Sequence, residues 1–249
     1  MISFSILFLA GLLAGSINAL AGGGTLISFP ALIWVGVPPI MSNATATLTA
    51  LPGYVASAWA YRHDLRAEGT LRLSAILAVT ALGGLVGAGL LLITPGDAFV
   101  GIVPWLLLGA TALFALGPGM IRAVRSRNIG PAGPGLSAVA IGVVATYGGY
   151  FNGGLGIMLL AAFGLIGFEN LHGMNGLKNV LAALLSVVSV VTYSSAGLIA
   201  WDSAIVMAVA TTLGGYLGAR YTRRIRHTGF LRGVIIAIGA IMTAVFFAV

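Results

Sequence analysis

Apolar residues run through this chain in long unbroken stretches, and the charged residues fall between them. No charged side chain precedes Arg62, and further charge-free runs cover 73 to 96, 98 to 121, 128 to 168, 179 to 201, 203 to 219 and 233 to 249. At roughly 20 residues per crossing, the opening run alone is long enough for about three passes through a bilayer. The runs lack the period-two alternation of barrel strands, so helices remain as the way to satisfy backbone polar groups in hydrocarbon. The pattern therefore predicts an all-α, polytopic integral membrane protein with about 8 to 10 hydrophobic segments.

The pattern also repeats. Sliding the chain by the interval from Gly11 to Gly142, 131 residues, places Ala14 on Ala145, Gly22 and Gly23 on Gly153 and Gly154, and Gly36 on Gly167. Without a gap, "LGGLVGA" (82 to 88) then falls on "LGGYLGA" (213 to 219). One glycine match means little in a chain with 37 glycines, but a run at a single offset signals duplication. The halves are 1–127 and 132–249, two transmembrane repeats of one membrane domain.

Each half opens on an irregular, glycine-rich stretch, "NALAGGGTLISFP" (18 to 30) and "YFNGGLGIMLL" (150 to 160). Between Thr25 and Gly36 only about 18 Å of helix is available, too short for a core of roughly 30 Å. Broken or re-entrant helices follow, and whether 25–36 and 155–167 span or re-enter is left open by the residues. Backbone amides exposed at such a break are tolerated only against protein or a water-filled cavity, and a helix N-terminus there attracts anions. Close helix packing is the other use for these glycines, and the better one for the two "LGG" segments.

Charge supplies orientation. Hydrophobic residues make up 59% of the chain and charged ones 7%, which excludes a soluble domain. Arg62, Arg66 and Arg72 precede the helix with "LGGLVGA", whereas Arg220, Arg223, Arg224 and Arg226 follow the helix with "LGGYLGA". If arginine-rich loops are cytoplasmic, the two copies cross in opposite directions, the arrangement of inverted-topology repeats in secondary transporters. Arg122, Arg125 and Arg127 fit the same scheme, and "TPGD" (94 to 97) and "SSAG" (194 to 197) then lie outside. The net charge of +7 is explained by this placement and not by nucleic acid. No basic residue precedes the first apolar stretch, which argues for a retained first helix and not a cleaved signal.

The candidate chemistry sits on two helices. In "SNATATLTALPGY" Asn43 and Thr47 share one face, and Pro52 marks a kink; in "MNGLKNVLAALLS" Asn175, Lys178 and Asn179 share one face. Lys178 is the only lysine of the chain, and no acid lies within eight residues of it. A lysine at mid-bilayer costs about 2.5 to 3.5 kcal/mol on insertion scales. Either it snorkels to the cytoplasmic surface, or its counter-ion is the substrate. Two amides on the same face favour a polar, anion-binding pocket. Glu169 and His172, in the turn before this helix, are candidates for proton coupling, with helix capping the alternative for Glu169. No cysteine is present, His63 and His227 lie among arginines, and no metal site or cofactor is expected. No carboxylate pair or Ser/His/Asp set lies at membrane depth, so an enzyme is not expected.

Three stretches, "ALAGGGTLISFPALIWVGVPP", "YFNGGLGIMLLAAFGLIGFENLHGMNGLKN" and "GLIAWDSAIVMAVATTLGGYLGARYTRR", resemble the TauE/SafE sulfite exporter family, also called TSUP. The resemblance spans nearly the whole chain. It implies a multi-pass transporter of the bacterial inner membrane that moves small sulfur-containing anions: sulfite, thiosulfate, sulfoacetate or other organosulfonates. It carries site roles onto Gly22, Gly23, Gly24, Asn175, Lys178 and Asn179. The second copy reads "NGGLG", so Asn152 stands with Gly153 and Gly154 where a fuller glycine triplet is expected. The combined reading is a secondary transporter working by alternating access, an exporter with candidate proton coupling; a passive anion channel and a non-catalytic membrane assembly protein are the alternatives.

Overall fold

The computed structural model describes residues 2–20, 23–62, 69–126, 132–168, 170–222 and 229–248. Ten α-helices and no strand occur among them. The chain runs α1 (Ile2–Leu20), α2 (Thr25–Trp34), α3 (Pro39–Ala60), α4 (Leu73–Ile93), α5 (Gly96–Ser126), α6 (Pro134–Tyr150), α7 (Leu155–Leu165), α8 (Leu171–Ser195), α9 (Trp201–Thr222) and α10 (Gly229–Ala248). Prolines start α3 and α6, where a missing N–H costs nothing. Helices α2 and α7 end at Gly36 and Gly167, with φ of 93° and 94°. The amide beyond each glycine reaches back to Leu32 and Phe163, closing Schellman caps that only a left-handed residue permits.

Helices α2 and α7, with 10 and 11 residues, are about 15 Å long and cannot cross the core. The second of them re-enters: the Ala132 amide, just ahead of α6, donates to the Leu165 carbonyl at the end of α7 at 3.1 Å. Thus α6 and α7 form a hairpin that begins and ends on one side, with its tip at residues 151 to 154. Helices α1 and α2 also pack on each other, across a similar glycine break.

Packing between the halves is paired. Helix α1 lies on α9 and α6 on α4; α3 touches α9 and α8 touches α4; α5 meets α7 and α10 meets α2. Two contacts, α3 on α8 and α5 on α10, join like with like. Glycines make the closest of these contacts. Gly83 faces Ala145 and the Gly142 carbonyl of α6, Gly87 faces the Thr146 carbonyl, and Gly214 of α9 faces the Leu12 carbonyl of α1. These are the two "LGG" segments, and backbone-to-backbone packing is their use.

The outer surface is apolar. Leu82, Leu85 and Val86 of α4, Leu136, Val139 and Val143 of α6, and Ile205 and Val209 of α9 are all exposed. Three helical segments among the described residues, Leu73–Ile93, Gly96–Gly117 and Gly173–Ser195, are long and apolar enough to cross a membrane. Trp34, Trp59 and Trp201 are exposed at helix ends, as interfacial anchors are. The Arg62 guanidinium lies 4.6 Å over the Trp59 ring. An exposed apolar belt with tryptophan at its edges is the surface of a multi-pass membrane protein.

Candidate functional site

The two hairpin tips come together inside the bundle. A methyl group on Gly23 would lie 2.9 Å from the Phe114 ring, and one on Gly154 would lie 3.3 Å from the Ala110 Cα, so both tips lean on one turn of α5. Both glycines have positive φ, 106° and 73°, and they stand 131 positions apart. At the second tip Phe151 packs edge-on against Phe29 of α2, with ring centroids 5.7 Å apart. The short helix of the first hairpin therefore touches the tip of the second.

Side chains hold each tip in shape. The Gly24 amide donates to the Asn18 side-chain oxygen at 2.7 Å, satisfying a donor at the start of α2. The Tyr147 hydroxyl donates to the Gly153 carbonyl at 2.7 Å. At the end of α6, the Asn43 amide group donates to the Tyr150 carbonyl at 2.8 Å, and the Tyr193 hydroxyl donates to the Gly149 carbonyl. The amides of Gly153 and Gly154 donate to no described atom. They stand at the N-terminus of α7, where the helix dipole is positive, and the residues around them are buried. Open amides at a helix N-terminus are the general setting in which proteins hold anions.

Lys178 stands seven residues into α8, about 10 Å along the helix. It is 4% exposed, so its side chain is enclosed by protein and not spread along lipid toward the surface. Its Nζ donates to the Asn175 side-chain oxygen at 3.2 Å, one turn back, the direction in which helical side chains lean. Asn179, on the same face, is buried, and its side-chain oxygen has no partner among the described atoms. The structure thus joins Asn175 to Lys178 and places Asn179 beside them.

Among the described residues no hydrogen bond joins that set to Asn43 and Thr47. The Thr47 hydroxyl donates to the Asn43 carbonyl within α3 at 2.9 Å, and the Asn43 side chain binds the second hairpin. Asn152 is committed at both ends: its oxygen accepts from the Tyr54 hydroxyl at 3.3 Å and its amide donates to Ser186 Oγ at 3.4 Å. Gly22, Glu169 and the His172 side chain lie outside the described residues. Tyr54, Ser186 and Thr25, which the sequence did not single out, belong to the tip cluster. A tyrosine and a serine inside apolar helices carry no spacing signal; only the fold brings residues 54, 152 and 186 together.

Asn43 offers a direct test of this geometry. Asn43→Ala leaves the Tyr150 carbonyl unpaired in the bundle and is expected to cost about 1 to 2 kcal/mol. Asn43→Asp sets a carboxylate against that carbonyl and is expected to lower the unfolding temperature further than Asn43→Ala does. Equal or better stability of the aspartate variant in detergent would mean that Asn43 does not hold the hairpin.

Residues 7–246 match the family model described as sulfite exporter TauE/SafE. The chain belongs to the TauE/SafE family. It is similar to a protein of Haemophilus influenzae named probable membrane transporter protein, at 31% identity over 246 residues, covering 96% of this chain and 92% of that one. It is also similar to the probable membrane transporter protein YfcA of Escherichia coli K12, at 29% identity over 240 residues, 96% of this chain and 87% of that one. The probable membrane transporter protein ORF9 of a Sinorhizobium species is 29% identical over 223 residues, 87% of this chain and 82% of that one. A TauE/SafE membership over this length makes the chain a membrane transporter, in keeping with its apolar belt and enclosed polar centre.

Proposed function

We propose that this protein is a secondary transporter of small sulfur-containing anions, sulfite, thiosulfate or organosulfonates, across a bacterial inner membrane. It works as an exporter by alternating access of two inverted repeats, with its arginine-rich loops in the cytoplasm. The observation that carries this reading is the pair of hairpins whose tips lean on one turn of α5, the second with backbone amides at a helix N-terminus that have no partner among the described residues. Half-helices ending at the site and pointing positive ends at an anion are the usual construction of such carriers. Lys178, the one lysine, supplies the balancing charge, with Asn175 and Asn179 on its face. The pairing of α1 on α9 with α6 on α4, and of α3 and α8 with each other, supports two halves related by a two-fold axis. Arginines before α4 but after α9 support the opposite crossing of the halves. Glu169 and His172 are the candidates for carrying a coupled proton.

Counterflow in liposomes tests it. Vesicles loaded with unlabelled sulfite should accumulate labelled sulfite from outside transiently, with a rate that saturates and is competed by thiosulfate and sulfoacetate. A channel supports no saturable counterflow. Linear, uncompeted flux through the purified protein would replace the carrier with an anion channel. No flux of any of the three anions would overturn the substrate class.

A further inference from the structure

The two helix breaks are closed differently. At the first, the Asn18 side-chain oxygen takes the Gly24 amide at 2.7 Å, so the chain itself caps the start of α2. The interval of 131 residues that relates the glycines sets Gly149 in place of Asn18, and at the second break the amides of Gly153 and Gly154 donate to no described atom. The same interval sets Gly156 in place of Thr25, the first residue of α2. Thr25 is 1% exposed, and its hydroxyl has no hydrogen-bond partner among the described atoms. A threonine inside a helix turns its hydroxyl to the carbonyl one turn back, as Thr47 and Thr243 do, but no carbonyl of α2 lies one turn before Thr25. A buried donor left open in this way is rare and destabilising, and calls for a partner. Its direction follows from the helix. Thr25 and Phe29 are four residues apart on one face of α2, and Phe29 meets the Phe151 ring of the second break with centroids 5.7 Å apart. Helical side chains lean toward the N-terminus, so the Thr25 hydroxyl stands on the break side of that contact, on the face turned to Gly153 and Gly154.

We infer that Thr25 is an anion-binding and specificity-determining residue of the transport site: its hydroxyl donates to one oxygen of the anion that the amides of Gly153 and Gly154 hold. The inference rests on the transporter reading and adds to it what the first half contributes. The site is lopsided. The second break supplies backbone donors at the positive end of α7, whereas the first, its Gly24 amide already taken by Asn18, supplies a side-chain donor. Donors from two separate helix starts are engaged together by an anion with two or more oxygens set apart, and not by a single-atom halide. That geometry favours sulfite and sulfonates over chloride. The empty site holds an open hydroxyl, and the bound anion gives it an acceptor, so the bond strengthens binding without an earlier bond having to break.

Thr25→Val keeps the shape of the side chain and removes the hydroxyl, and Thr25→Ser keeps the hydroxyl. In counterflow Thr25→Val should raise the KM for labelled sulfite about ten- to a hundred-fold, the effect of losing one hydrogen bond to a charged group, while Thr25→Ser stays within about three-fold of the parent. Valine puts a methyl where an unpartnered donor was, so Thr25→Val should unfold at or above the temperature of the parent, which loss of a structural hydrogen bond would not allow. The absence of cysteine permits a probe that needs no transport. Thr25→Cys should prefer the anionic 2-sulfonatoethyl methanethiosulfonate over its trimethylammonium analogue about ten-fold more than a free thiol does, and sulfoacetate should slow the reaction. An unchanged KM in Thr25→Val, or an equal rise in the valine and serine variants, overturns the hydroxyl's role. So does a cysteine that reacts with neither reagent, or with both in the free-thiol ratio. If the parent moves none of sulfite, thiosulfate and sulfoacetate while Thr25→Cys keeps its preference for the anionic reagent, the substrate class proposed above falls and the anion site at Thr25 stands.

Discussion

Lys178→Met abolishes saturable anion flux while the protein still folds: that is the expected result, and it follows from where the ammonium lies. The side chain is enclosed, and among the described residues its Nζ binds a neutral amide oxygen and no carboxylate. An enclosed cation held by one neutral acceptor is under-compensated, and an anion arriving near it recovers part of the desolvation cost. Removing one partner of a buried charge pair typically costs about 3 to 5 kcal/mol, so flux at low substrate concentration should fall by roughly two to four orders of magnitude. Methionine keeps the length and flexibility of the lysine stem, so packing around α8 should survive. The comparison is made by counterflow of labelled sulfite, with size-exclusion behaviour as the control for folding. Flux equal to that of the parent protein would remove Lys178 from the site and leave the hairpin tips to bind the anion on their own. A fully aggregated variant would assign Lys178 a structural role that its single hydrogen bond does not suggest.

Much of this architecture is legible in the sequence, and the reason is physical. Gly23 and Gly154, and Gly36 and Gly167, occupy left-handed backbone positions that other residues reach only with strain. Each pair therefore stands out at one interval, whatever the side chains between them have become. The shortness of α2 follows from counting residues between Thr25 and Gly36, and the re-entry of α7 needed only the Ala132 to Leu165 bond to be seen. The shared face of Asn175 and Lys178 is likewise a matter of helical spacing, and a hydrogen bond joins them. What spacing cannot reveal is which end of an amide is already in use. Asn43 and Asn152 are candidates from the sequence; the structure engages the Asn43 amide group with a hairpin carbonyl, leaves its side-chain oxygen without a partner among the described atoms, and engages Asn152 with Tyr54 and Ser186. Tyr54 was invisible for the opposite reason: a single tyrosine in an apolar helix looks like packing, and its partner lies 98 residues away.

Gly87→Ala and Gly214→Ala should each destabilise the fold severely, because the atom an added methyl would strike is backbone. At Gly87 it meets the Thr146 carbonyl of α6, and at Gly214 the Leu12 carbonyl of α1. A rotatable side chain gives way at small cost, but a helix carbonyl moves only if the helix moves, so α4 and α6, or α1 and α9, must separate. Overpacking in cores costs about 1 to 3 kcal/mol, and contacts with backbone belong at the upper end. In a membrane the loss is compounded, since close approach of helices is itself what drives their association. The two contacts belong to different helix pairs with no partner in common, so the double variant should lose about the sum of the two. Gly89→Ala provides the contrast: it lies on the same helix as Gly87, nothing stands within 4 Å of its added methyl, and a gain of up to about 1 kcal/mol in helix propensity is expected. Thermal unfolding in detergent, followed by the fluorescence of the four tryptophans, measures all of these. The expected order of unfolding temperatures is Gly89→Ala at or above the parent, each single contact variant well below it, and the double variant lowest. If Gly214→Ala unfolds together with Gly89→Ala, then α1 and α9 are not in backbone contact. Of the two closest pairings between the halves, only that of α4 on α6 would then stand.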